Sequence, residues 1–183
     1  MVDGISLNIF VKQIEPGDNL TGLSLGDAAF TPLKTFLQKH AQKYEAQSLS
    51  RTYGAFESDS NKVMGYITLV CGEVVTDESD DRLVNEPGLR YLYNHYPAVK
   101  IARLAVDRRI SGSGLGRNLV ELALGQSKRV VCPAVGCRFV VVDSKKQAVP
   151  FYEKCGFTFL DTTENRRRDE PVMFIDLNKI EVD

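Results

Sequence analysis

Apolar and polar residues alternate along SLNIFVKQI (6–14), which is the period of a strand with one buried face. In TPLKTFLQKHAQKYE (31–45) the period changes, and Leu33, Phe36, Leu37, Ala41 and Tyr44 recur at helical spacing. Thr31 is the expected N-cap of that helix and Pro32 its first residue. RTYGAFESDSNKVMGYITLVCGEVV (51–75) divides into two strands around the polar turn ESDSNK. The segment 77–99 is polar, without sustained period, and is expected as part helix, part loop. KIARLAVD (100–107) predicts a strand, and GLGRNLVELALGQSKR (114–129) a helix with Leu115, Leu119, Leu122 and Ala123 on its apolar face. CRFVVVDS (137–144) has the composition of a buried strand, and KKQAVPFYEKCGF (145–157) predicts a short helix stopped near Gly156. FTFLDTT (157–163) and PVMFIDL (171–177) complete the pattern as strands. This order predicts an α/β fold with a mixed sheet.

At 183 residues and 20.4 kDa the chain is expected to form one domain, 1–183, with a sizeable core. No apolar run reaches bilayer length and the N-terminus lacks a secretory pattern, so a cytoplasmic protein with no membrane role is expected. Cys71, Cys132, Cys137 and Cys155 form no CxxC pair, and His40 and His95 are far apart in sequence. Reduced cysteines used as small apolar residues, with no metal site, are therefore expected. Charge changes the picture more. From Lys100 to Arg168 there are 14 Lys and Arg against 6 Asp and Glu, a balance of +8. The remainder, 9 basic against 18 acidic, carries −9. A basic half points to an anionic ligand, a nucleotide or a nucleic acid.

The candidate chemistry sits between the strand at 100–107 and the helix that follows. RRISGSGLGRN (108–118) is a glycine loop placed as phosphate-cradling loops are placed. It has no Gly-Lys-Ser/Thr, so it is not a Walker loop. Arg117 stands where a dinucleotide fingerprint needs its third glycine. The pattern that fits is R-x-x-G-x-G, carried by Arg109, Gly112 and Gly114, with Leu115 and Gly116 entering the helix. Glycines let backbone N–H groups converge on a pyrophosphate, and the helix presents its N-terminus to the same charge.

This loop resembles the acetyl-coenzyme A loop of the GNAT superfamily of N-acetyltransferases. A helix and a strand further on, AVPFYEKCGF (148–157) resembles the A-x-x-[FL]-Y-x-x-x-G-F signature of the same superfamily. The resemblance implies a central, twisted, mostly antiparallel sheet flanked by helices, and acetyl-CoA as acetyl donor. It implies cofactor contacts from Leu104, Ala105 and Val106 on the strand, and from Arg109, Ser111, Gly112, Ser113, Gly114, Leu115, Gly116 and Arg117 in the loop. Ser144 and Lys145 occupy the neighbourhood where the superfamily often has an Asn that meets the pantetheine arm. Ser144 is the candidate contact there.

SRTYGAF (50–56), GYITLVCGEV (65–74), YPAVKIARLAVDRR (96–109) and PVMFIDL (171–177) resemble the GNAT toxins of bacterial toxin–antitoxin pairs. That resemblance implies acetylation of the α-amine of aminoacyl-tRNA, a block of translation, a ribbon-helix-helix antitoxin as partner, and a homodimer. The relatives often carry QGxGLG where this chain has SGSGLG. Two other readings stand beside it: acetylation of a small-molecule or protein amine without toxicity, and an acetyl-CoA-binding module that senses rather than catalyses. Retention of both the glycine loop and Tyr152 argues against the second.

Acetyl transfer needs a neutral amine, a polarised carbonyl and a proton for the departing thiolate. Tyr152 is the candidate acid, because a phenol near pKa 10 can protonate a thiolate near 8.5. By resemblance the carbonyl is polarised by the backbone N–H of Val106. Glu73 and His95 are both candidate bases, and the sequence does not choose between them. An α-amine near pKa 7.7 is already neutral in roughly a sixth of molecules at pH 7, whereas a lysine near 10.4 is neutral in about one in 2500. A chain without an evident base thus favours a low-pKa amine. Lys145, Lys146, Lys154 and Arg166–Arg168 flank the Tyr152 segment, either as contacts to tRNA phosphates or as a solvated loop balanced by Asp169 and Glu170.

Overall fold

The computed structural model describes residues 8–76, 83 and 91–181. Its strands are β1 (Ile9–Gln13), β2 (Arg51–Glu57), β3 (Val63–Val75), β4 (His95–Val106), β5 (Phe139–Asp143), β6 (Thr158–Phe159) and β7 (Val172–Asp176). They form one sheet in the order β1-β2-β3-β4-β5-β7-β6. β1 with β2, β2 with β3, β5 with β7 and β6 with β7 pair antiparallel, and β4 with β5 parallel. The α-helices are α1 (Thr31–Lys39), α2 (Ala41–Ala46), α3 (Leu115–Gln126), α4 (Cys132–Ala134), α5 (Val149–Lys154) and α6 (Thr163–Arg167). The α/β class is as the element order predicts, and the mostly antiparallel sheet is as the GNAT resemblance implies.

Contacts divide the chain into two units: Met1–Val70 with Ala102–Ala123, and Cys71–Ile101 with Leu124–Asp183. In the first, β2 and β3 lie antiparallel around a tight turn in which Asn61 takes a positive φ of 51°. Thr52 and Thr68 face each other across these strands, fully buried, with their hydroxyls 2.9 Å apart. Pairing the two hydroxyls removes the desolvation cost either would carry alone. Phe36, Leu37 and Ala41 from α1 and α2 bury against Phe56, Val63, Tyr66 and Ala105. In the second unit Tyr96, Ala98, Phe139, Val141 and Leu160 form the core, with Val172 and Phe174 packed against it.

Several boundaries differ from the sequence reading. Thr31 is not the cap of α1. A 3-10 turn, Ala28–Phe30, runs into that helix, and the capping side chain is Asp27, which accepts a hydrogen bond from the Ala29 N–H at 2.8 Å. The expected single helix is broken at His40, whose φ of −122° interrupts it between α1 and α2. Tyr44 stays 38% exposed. β4 begins at His95, five residues before the expected start, while most of 77–90 lies outside the described residues. The buried stripe of α3 is Leu115, Leu119, Val120, Ala123 and Leu124, and Leu122 is only half-buried. A π-helical turn, Ser127–Val131, continues that helix into α4. β6 is two residues long because Thr162 starts α6, its hydroxyl accepting from the Asn165 N–H at 3.1 Å. Buried Asn165 then ties Leu160 to Val172 through its own amide. Cys71 is exposed rather than an apolar filler.

Candidate active site

At the end of β4 the chain turns through a 3-10 element, Arg108–Ile110, and reaches α3 through Ser111–Gly114. Gly112 and Gly114 hold φ of +84° and +91°, a region costly for residues with a side chain. A Cβ at either position would meet nothing within 4 Å, so the backbone here borders open space. Among the described residues no backbone acceptor takes the N–H of Gly112 or Gly114. Ser113 Oγ accepts from the Leu115 N–H at 3.4 Å, a weak cap, and the next N–H groups of α3 have no intrahelical partner. Open space, free N–H groups and a helix N-terminus suit a pyrophosphate. The residues present therefore fit acetyl-CoA.

The loop is braced from below by a residue the sequence reading did not single out. Asp107 is fully buried and accepts from the backbone N–H of Ser24 and of Arg109, at 2.8 and 3.0 Å, and from the Arg109 side chain at 2.5 and 2.7 Å. Burial alone would push its pKa up. The hydrogen bonds from the Arg109 side chain and backbone, then from Ser24, and the Arg109 charge outweigh that and hold it at about 2. Arg109 is thus engaged by Asp107, and Arg117 by Glu121 one helical turn on. The signal available in the sequence was an acid placed directly between an apolar strand and the loop.

On β4, Ala105 is buried, and Leu104 and Val106 are half-buried. The β4–β5 ladder covers Ala98–Lys100 on β4 and Phe139–Val141 on β5. Gly65 on β3 passes so close that an added Cβ would stand 3.0 Å from the Ala105 carbonyl oxygen and 3.2 Å from Leu115 Cδ2. Gly65 therefore fixes how closely β3, β4 and α3 approach, a role that residue spacing alone did not reveal.

In the second unit Tyr152 lies on α5, 7% exposed, with its ring edge-on to Phe151 and Phe157. Gly156, at φ +92°, ends that helix. Burial, with a smaller effect from Cys155, raises the Tyr152 phenol well above its ordinary pKa. It is therefore protonated throughout the working range of pH. Among the described residues its hydroxyl has no hydrogen-bond partner, which leaves it free to donate. Ser144 is buried, and its hydroxyl donates to the Lys145 carbonyl at 3.0 Å.

The two candidate bases are brought together: His95 Nδ1 and Glu73 Oε2 stand 3.0 Å apart, both about half exposed. Along β4, His95 stands nine positions before Leu104. Of the basic residues, Lys146 pairs with Asp169 and Arg166 with Asp161. Arg168 lines a cleft of about 360 Å³ with Lys100, Asp143, Thr162 and Asn165.

The sequence pattern of the acetyltransferase (GNAT) domain matches residues 24–179. The chain belongs to the GNAT acetyltransferase family. It is an N-acetyltransferase, and acetyl-CoA is the acetyl donor of such GNAT enzymes. Among curated relatives it is similar to the tRNA-acetylating toxin of Mycobacterium tuberculosis (strain ATCC 25618 / H37Rv), 27% identical over 152 residues, 82% of this chain and 85% of that one. Among solved structures it is similar to AtaT complexed with acetyl-methionyl-tRNAfMet, with a TM-score of 0.74, 23% identity, and 93% and 96% of the two chains covered. A Tyr-to-Phe variant of the AtaT toxin, bound to the C-terminus of the antitoxin AtaR and acetyl-CoA, is similar at a TM-score of 0.70 and 24% identity, covering 93% and 94%. These structures support the fold. Among the described residues no helix is long and apolar enough to cross a membrane.

Proposed function

We propose that this GNAT enzyme acetylates the α-amine of aminoacyl-tRNA in the cytoplasm and so withdraws charged tRNA from translation. The observation that carries this reading is the similarity to the tRNA-acetylating toxin, which extends over 82% of the chain. The likeness of its fold to AtaT complexed with acetyl-methionyl-tRNAfMet supports it. A ribbon-helix-helix antitoxin is the partner expected on this reading, supported by the likeness to AtaT bound to AtaR.

Acetyl-CoA, when bound, supplies the acetyl group as a thioester. The Gly112–Gly116 backbone holds the pyrophosphate, and Asp107 with Arg109 keeps that backbone in shape. The Val106 N–H polarises the carbonyl, with Leu104 and Ala105 alongside. Tyr152, kept protonated by burial, donates its proton to the leaving sulfur. No protein base is assigned, because an α-amine of low pKa is already substantially neutral near pH 7.

Induced expression in a bacterial host tests this reading. Growth should stop with the unaltered protein and continue with Tyr152→Phe expressed to the same level. Arrest by both forms, or by neither, counts against it. A small ribbon-helix-helix protein encoded immediately upstream is the expected genomic companion.

A further inference from the structure

Arg103 lies on β4, immediately before the segment proposed to hold the thioester carbonyl, on the same face as buried Ile101 and Ala105. Its guanidinium carbon sits 3.7 Å from the centroid of the Phe36 ring, and Phe36 is itself stacked on Tyr66 at 6.4 Å. Tyr66 is locked in turn, its hydroxyl donating to the Leu33 carbonyl at 2.7 Å. The guanidinium thus sits over one ring of a fixed aromatic pair.

The ring contact takes up none of the guanidinium's N–H donors. Five N–H donors lie in the plane of that group, and among the described residues none meets an acceptor. Lys12, Arg51, Arg109 and Arg117, by contrast, each have a carboxylate partner in the first unit. Arg103 is only half-buried, so its donors reach solvent. A half-buried, unpaired, pre-oriented arginine on the strand that carries the chemistry is poorly explained by packing, since a methionine would cover Phe36 as well.

We propose that Arg103 anchors the acceptor by a bidentate contact to a backbone phosphate near the aminoacylated 3′ end of the RNA. The fork of a guanidinium matches a phosphate, and the aromatic stack removes the entropy cost of orienting it. This proposal rests on the reading of the acceptor as aminoacyl-tRNA. Arg103 is a positioning residue: it fixes where the α-amine arrives and takes no part in bond making.

Arg103→Met and Arg103→Lys, compared with the unaltered protein, test it by steady-state acetylation of aminoacyl-tRNA and of an amino-acid methyl ester, which has no phosphate. Arg103→Met should raise KM for aminoacyl-tRNA about tenfold, the loss of one charge-assisted contact. It should also lower the salt dependence of tRNA binding by about one unit of slope. KM for acetyl-CoA, turnover of the ester and the melting temperature should stay near those of the unaltered protein. Arg103→Lys should keep the salt slope and recover only part of the KM. An unchanged KM for tRNA, or an increase confined to acetyl-CoA, overturns the assignment. Equal losses on tRNA and ester would mark Arg103 as structural and overturn it too. If the unaltered protein acetylates tRNA while Arg103→Met is unaffected, only the Arg103 proposal falls. If the unaltered protein acetylates no tRNA, the functional reading falls and takes this proposal with it.

Discussion

The Asp107 carboxylate lies 2.5 Å from the Arg109 guanidinium and is fully buried, so the arginine of R-x-x-G-x-G braces its own loop. Removing the acid leaves the Ser24 N–H, the Arg109 N–H and the Arg109 guanidinium without their shared acceptor. Asp107→Ala should destabilise the protein by about 3 kcal/mol and weaken acetyl-CoA binding, read by denaturant unfolding and calorimetry. Arg109→Gln should show the same pattern in milder form. A loss of cofactor affinity in Arg109→Gln with unchanged stability would mean that Arg109 contacts the pyrophosphate directly.

The pH dependence follows from the same pair. The Asp107 pKa is about 2 in the folded protein, against 3.8 ordinarily, so folding favours the ionised form. Its contribution is complete above about pH 4 and is lost as the pH falls toward 2. Asp107→Asn should therefore lose stability less steeply than the unaltered protein between pH 4 and pH 2, in thermal melts across that range.

Tyr152→Phe should lower turnover about 100-fold or more while leaving acetyl-CoA affinity nearly intact. Burial raises the Tyr152 pKa, so the unaltered enzyme should show no alkaline fall in rate from this phenol below about pH 10. Turnover unchanged by the substitution would remove Tyr152 from the mechanism.

Gly112→Val and Gly114→Val should each cost at least about tenfold in acetyl-CoA affinity. A branched side chain at a φ near +90° strains the loop by about 1–3 kcal/mol and enters the open space beside it. Gly65→Ala should act differently. Its Cβ would press on the Ala105 carbonyl and Leu115, so stability should fall by about 1–3 kcal/mol, with altered kinetics following from the shift of β4.

Glu73→Gln and His95→Ala should leave turnover within about threefold. They form a half-exposed pair in which each side chain already engages the other. A large fall in turnover, with its pH profile displaced, would restore one of them as base.

The glycine loop and the Tyr152 helix were legible in the sequence because each is a local pattern: positive-φ positions filled by glycine, and a short helix closed by Gly156. Strands rich in apolar residues, such as Phe139–Asp143, were legible for the same reason. The misses are of another kind. Asp27 caps a 3-10 turn ahead of α1, and Thr162 begins a helix inside an expected strand, so short-range side-chain caps overrode periodicity. Asp107, Gly65 and Arg103 depend on partners distant in sequence: Ser24 for the first, Ala105 for the second, Phe36 for the third. Only folding brings such partners together, and no local spacing announces them.

Mass analysis of aminoacyl-tRNA incubated with the purified enzyme and acetyl-CoA decides whether the α-amine is the acceptor. One acetyl group is expected on the α-amine of the esterified amino acid, with Tyr152→Phe giving little or none in the same time. Aminoacyl-tRNA recovered unmodified, from an enzyme shown to bind acetyl-CoA and to acetylate a small amine, would contradict it.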